Sequence, residues 1–236
     1  VNPNSPTGLH VSKSDVEAVL RESSTCKRVW IDETYIEYAG SEHSLESLAS
    51  QSENVIVCKS MSKVYALSGL RAAYLCASPH QLEKLKVITP PWSVSLPAQI
   101  AATYALHPND YYAMRYLETK ELREKLVQEL YTMGITEIIP GIANFVMFHL
   151  PETMDTAESI VKKCRDSGLF LRNVAGMGSE VGHHAMRMAV KDEETNNRML
   201  EIFRNTINQT NSIPRNNEIP EPIPHLDTLS SIRKTK

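Results

Sequence analysis

The chain has 236 residues, a formal net charge of −3 and 42% hydrophobic residues, enough apolar material for one large or two modest domains. A near-neutral, slightly acidic balance argues against nucleic acid or an anionic membrane surface as partner, since both call for basic patches, and no apolar run approaches the roughly 18 residues of a membrane span. The four cysteines, Cys26, Cys58, Cys76 and Cys164, form no CxxC pair and no metal-spaced cluster with histidine, the pattern of a reduced, cytoplasmic protein without a metal site.

The opening turn, Asn2-Pro3-Asn4-Ser5-Pro6-Thr7-Gly8, reads as a loop leaving a strand, so the sequence begins in mid-fold and a preceding segment is expected. Ser14 with Glu17 three residues on predicts a capping box and a short helix into the early twenties. "KRVWID", "NVIVCKS" and "AAYLCA" predict three short strands with helix-sized connections, an α/β layer with a mainly parallel sheet. Ligands in such sheets gather beyond the carboxyl ends of strands, where Asp32 and the Ser60–Lys63 group both fall. Ser78-Pro79-His80-Gln81 predicts another boxed helix start with proline at its first position. "ITPPWSVSLPAQ" reads as a rigid crossing, with a hinge at Pro90-Pro91 and Trp92 packed into it.

A long helix is expected from about Pro108 to Met133, stopped by Gly134. Strand "NFVMFHL", helix "DTAESIVKKCRDS" stopped by Gly168, strand "LFLR", a glycine-containing loop, strand "AMRMAV" and helix "DEETNNRMLEIFRNTI" then predict a second, smaller α/β domain. The expected division is 1–107, 108–209 and a tail at 210–236 whose proline-rich, polar composition predicts disorder. His183-His184 lies in the loop without further ligands at metal spacing.

The stretch "CKSMSKVYALSGLRAAYL" holds four polar groups, Ser60, Ser62, Lys63 and Arg71, where packing alone favours aliphatic ones. A lysine there either points to solvent or has an anionic or covalent partner, because an unpaired buried cation costs on the order of several kcal/mol. An acid at Asp32 and a phenol at Tyr35 precede it. A lysine bonded to the aldehyde of pyridoxal phosphate needs an acid at the pyridine nitrogen, a phenol at the ring oxygen, and hydroxyls with an arginine at the phosphate. Those types stand here in a workable order. Each also has a plain structural reading: Asp32 as a turn cap, Tyr35 as packing, Ser60 and Ser62 as turn residues, Arg71, Arg172 and Arg187 as surface cations.

"NPNSPTG", "IDETYIEY", "SMSKVYALSGLRAAYL", "TPPWSVSLPAQIAA", "ANFVMF", "LFLRN" and "AMRMAV" together resemble the class I/II aminotransferases of fold type I, most closely the histidinol-phosphate aminotransferases, over roughly residues 1 to 205. The resemblance implies Lys63 as the lysine that carries pyridoxal 5'-phosphate and shuttles protons, Asp32 as the pyridine partner, Tyr35 as the ring-oxygen phenol, and Ser60, Ser62 and Arg71 as phosphate binders. It implies Arg187 for the substrate's carboxylate or corresponding polar end, Arg172 for the substrate's own phosphate, and a structural role for Asn144. Two positions depart from the family pattern. Ser5 stands where the family has asparagine at the cofactor's ring oxygen, and Thr34 where it has alanine against the ring face.

The implied reaction is transamination between a small amino substrate, histidinol phosphate or a related compound, and a keto-acid such as 2-oxoglutarate, in a homodimer. Two other readings stay open: a threonine-phosphate decarboxylase-like enzyme using the same cofactor, and a non-catalytic remnant lacking the family's N-terminal part.

Overall fold

The structure, a computed structural model, describes residues 1–22, 27–107, 110–178 and 181–211. Helix α1 (Lys13–Glu22) leads to strand β1 (Val29–Asp32), helix α2 (Glu46–Gln51) and strands β2 (Val55–Ser60) and β3 (Ala73–Cys76). β1 and β2 run parallel with Asp32 opposite Cys58, so their carboxyl ends share one edge, as the sequence predicts. β3 joins β2 antiparallel, which makes the three-stranded sheet mixed. Its core is aliphatic: Ile31, Val55 and Val57 pack with Leu45 and Ala49 of the α2 segment.

Helices α3 (Pro79–Ile88), α4 (Leu96–Ala105) and α5 (Asp110–Thr132) follow. The second sheet comprises β4 (Glu137–Ile138), β5 (Phe145–His149), β6 (Arg172–Asn173) and β7 (Ala185–Ala189), in the order β4-β5-β7-β6 and antiparallel throughout. Helices α6 (Ala157–Asp166) and α7 (Glu193–Asn211) cover it. α6 buries Ala157, Ile160, Val161 and Cys164, the spacing of one helical face, and Phe203 of α7 meets Phe148 of β5 edge to face at 5.9 Å. No helix among the described residues is long and apolar enough to cross a membrane.

Several local expectations are corrected. The cap of α1 is Ser12, whose Oγ accepts the Asp15 N–H at 3.2 Å, while Ser14 lies inside the helix. Ser78 makes no side-chain cap bond. Gln81 turns its amide onto the carbonyls of Ser52, which follows α2, and Val55, which opens β2 and is buried, because such acceptors need a donor. The crossing after Ile88 is shorter than expected: Ser95 caps α4, which the sequence reading missed, by accepting from the Ala98 N–H. Trp92 is not packed; it sits at φ 58° and is 93% exposed. "LFLR" contributes only Arg172 to a strand, and β4 was not foreseen. The expected disordered tail lies outside the described residues except for the end of α7.

The opening turn docks on the second sheet. The Gly8 carbonyl accepts the Ile142 N–H at 2.9 Å, and a Cβ on Gly141 would stand 2.5 Å from the Thr7 carbonyl oxygen. Only glycine admits that approach.

Candidate active site

At the end of β1, Asp32 Oδ1 accepts the Thr34 N–H at 2.8 Å, closing a tight turn. Thr34, buried, uses its own Oγ1 to accept the Ser60 N–H at 3.2 Å across to β2. Ser60 Oγ accepts the Ser62 N–H at 3.3 Å, and Ser62 Oγ accepts from Arg71 Nη1 at 3.4 Å. One continuous relay thus runs from Asp32 to Arg71. Arg71 stands in the left-handed region at φ 54°, which costs a non-glycine residue roughly 1–2 kcal/mol. That conformation turns its guanidinium back onto the Ser68 carbonyl at 3.0 Å and onto Ser62.

Lys63 directly follows Ser62 of this relay in the chain. Its neighbours Met61 and Val64 are buried and anchor the turn, while Lys63 itself is exposed. Among the described residues nothing pairs with its ammonium. Of the two possibilities the sequence leaves, outward-pointing or paired, the structure shows the first. A cavity of about 260 Å³ adjoins the relay, lined by Asp32, Thr34, Cys58, Lys59, Ser60 and the start of β3; Lys63 is not among its lining residues.

A second group forms around Tyr35, which is 7% exposed and meets Phe145 edge to face at 5.4 Å. The Arg187 guanidinium lies 4.6 Å from the centre of the Phe145 ring and donates to Ser5 Oγ at 3.1 Å. Burial pushes the Tyr35 phenol up, opposed by the Arg187 charge and reinforced by Asp32. Burial pushes Arg187 down; the phenol counteracts this, and Arg172 adds to it. Arg172 is directly opposite Arg187 on β6 and β7. Like charges in that position are destabilising by up to about 1 kcal/mol, so an anion placed there is favoured. Asn144 contributes through its backbone: its carbonyl accepts from the Val190 N–H. No group of three or more His, Cys, Asp or Glu among the described residues is placed to hold a metal ion.

The buried cation of this region is Lys59, which the sequence reading passed over. It is 2% exposed, and its Nζ lies 3.1 Å from Glu37, 3.3 Å from Glu46 and 3.7 Å from Glu33. The signal was present in the alternation of β2, which puts Lys59 on the same face as Val55 and Val57. A charge on that face requires buried counter-charges, and "IDETYIEY" supplies two of them.

Residues 1–203 match the family model of the class I and II aminotransferases. The chain is 29% identical over 207 residues to a histidinol-phosphate aminotransferase of Rhodopseudomonas palustris (strain BisA53), covering 86% of this chain and 55% of that one. Its fold is similar to the histidinol-phosphate aminotransferase of Clostridium acetobutylicum, with a TM-score of 0.80 and 25% identity over 88% of this chain and 63% of that chain. It is similar also to that of Sinorhizobium meliloti, solved with pyridoxal-5'-phosphate, with a TM-score of 0.79 and 23% identity over 88% and 56%. The chain spans about half the length of the curated relatives it matches.

Proposed function

The chain belongs to the class I and II aminotransferases, and from that premise we propose that it carries the lysine-bearing part of a pyridoxal-phosphate-dependent transaminase. The substrate we assign is a small amine with a second anionic group, histidinol phosphate or a close relative, paired with 2-oxoglutarate and glutamate. The observation that carries this reading is the relay from Asp32 through Thr34, Ser60 and Ser62 to Arg71, with exposed Lys63 next to Ser62 in the chain.

The donor set fits the cofactor. Pyridoxal phosphate, when bound, supplies an aldehyde and a ring that takes up the charge left by a departing proton. Asp32 has one oxygen engaged by Thr34; the other is assigned to hold the proton on the ring nitrogen. The Tyr35 phenol, kept protonated by burial, donates to the ring oxygen. Ser5 accepts from Arg187, and a hydroxyl in that position keeps its own proton to donate to the same oxygen. Ser60, Ser62 and Arg71 hold the phosphate by charge-assisted bonds. Lys63 would hold the cofactor at its aldehyde carbon, and its amine would serve as the base that moves the proton at the substrate's α-carbon. Arg187 grips the substrate's carboxylate or equivalent polar end, and Arg172 its phosphate.

A second copy of the chain completes the proposed assembly. Leu96, Ile100 and Tyr104 form an exposed apolar stripe on α4, the kind of patch that marks a protein interface.

The test is covalent. Protein incubated with pyridoxal phosphate, reduced with borohydride and digested is expected to carry the phosphopyridoxyl mass on the Lys63 peptide, with none in Lys63→Ala. Label spread over surface lysines, and equal in the variant, would sink the proposal.

A further inference from the structure

Lys59 joins four segments through one ammonium. It comes from β2, one residue before Ser60 of the relay. Glu33 lies between Asp32 and Thr34; Glu37 belongs to the short 3-10 turn after Tyr35; Glu46 opens α2. An ammonium has three donors, and three carboxylates stand within ion-pair distance of this one.

Each carboxylate is held by further groups. Glu33 accepts from Ser44 Oγ at 2.6 Å and the Leu45 N–H at 2.8 Å. Glu37 Oε1 accepts from the Tyr65 hydroxyl at 3.3 Å, and Glu46 Oε1 from that of Tyr74 at 2.7 Å. The Cys76 thiol donates to the Glu46 backbone carbonyl. The only buried positive charge among these groups is Lys59. Burial pushes its ammonium down, and Glu37, Glu46 and Glu33 together outweigh that, so it stands above its ordinary value. Burial pushes Glu33 up, against the pull of Ser44, Leu45 and Lys59.

We propose that Lys59 is a positioning residue: tied to Glu33, Glu37 and Glu46, it clamps the turn carrying Asp32 and Tyr35 against the turn carrying Lys63. The inference rests on the site assigned above. The Lys59 ammonium is engaged by the three acids, and its assigned role runs through the geometry of Asp32, Thr34 and Ser60. Without it three acids converge with no counter-charge, and the segment between residues 33 and 46 must open or take up protons.

Hydrogen–deuterium exchange of the protein without added cofactor reads the clamp directly. In Lys59→Met, protection of the peptide spanning residues 33–38 is expected to fall about tenfold or more near pH 8. The loss narrows as the pH is lowered, because protons take the place of the missing positive charge, whereas Lys59→Arg keeps the parent's protection throughout. Adding Glu37→Gln and Glu46→Gln to Lys59→Met restores protection, because the repulsion is gone. The dissociation constant for pyridoxal phosphate, followed by absorbance, rises about tenfold in Lys59→Met and shows the same narrowing toward low pH when divided by the parent's. Unchanged protection of residues 33–38 overturns the proposal. So does loss of protection spread evenly over both sheets that the glutamines do not reverse, since that is a general folding role. A parent that binds no cofactor but responds in exchange as described overturns the assigned function and leaves the clamp standing.

Discussion

Arg187 and Arg172 face each other on neighbouring strands with the same charge, and what they hold follows from the shape of the guanidinium group. A planar fork meets a carboxylate at two points, which an ammonium cannot reproduce. Arg187→Lys is therefore expected to raise KM for the anionic substrate about 10- to 100-fold, the worth of one charge-assisted bond, with a smaller effect on kcat; steady-state kinetics decides. Equal loss in both parameters would place Arg187 in the chemistry rather than in the grip. The local motif around Lys63 was legible because its parts are contiguous: serines, lysine and a trailing arginine lie within a dozen residues and close on one another through short-range bonds. Lys59 lay in the same stretch, but its partners are 13 to 26 residues away, and their convergence comes from packing, which composition does not encode. Thr34 shows the same limit. As a departure from alanine it suggested only bulk, yet its hydroxyl bridges β1 to β2.

Helix ends illustrate what local chemistry settles and what it leaves to neighbours. After α5 the Gly134 N–H bonds the Tyr131 carbonyl and the Ile135 N–H reaches the Leu130 carbonyl; Gly168 and Leu169 repeat the pattern after α6. Both glycines have positive φ, 81° and 82°, and the stops were legible because few other residues take that conformation. Gly134→Ala is expected to cost about 1 kcal/mol, seen as a lower urea midpoint at unchanged slope. Gly141→Ala is expected to cost more, because the added Cβ meets backbone at 2.5 Å, and to expose the opening turn to proteolysis. The helix starts were read less well: at α1 and α4 neighbouring serines compete for the cap, and at α3 the one serine caps nothing. Helix α5 belongs to both cores: Tyr112 packs with the first group of strands and helices, Leu126 and Leu130 with the second. We therefore offer the division at 107/108 as a proposal in which α5 is the shared strut, its first turns reaching across the boundary.

The described residues bury phenols along the face that joins the first sheet to α5, and this sets a limit on alkaline stability. Burial first, then neighbouring acids and phenols, push Tyr65, Tyr74 and Tyr116 above their ordinary value of 10.0, and Tyr38 to about 12. Each holds its proton more tightly folded than unfolded, so its contribution is complete below about pH 10 and is lost as pH rises through the folded value. Lys59, also raised, has the same sign from 10.5 upward. Urea midpoints are thus expected to fall between pH 10 and 12 while tyrosinate absorbance lags behind that of the unfolded chain; a flat profile would contradict the burial. The α/β class and the shared edge of β1 and β2 could be read from the sequence, because strand polarity and loop length constrain each other. The antiparallel β3 could not, since hydrophobic pattern is blind to strand direction. On the proposed dimer, Ile100→Asp in the α4 stripe is expected to shift sedimentation to the single-chain mass. The exposed loop after α3 has one more consequence. Both tryptophans, Trp92 at 93% and Trp30 at 51% exposure, already meet water in the native molecule, so their emission will scarcely redden on denaturation, and an intrinsic-fluorescence melt would report a well-folded sample as one with no transition at all.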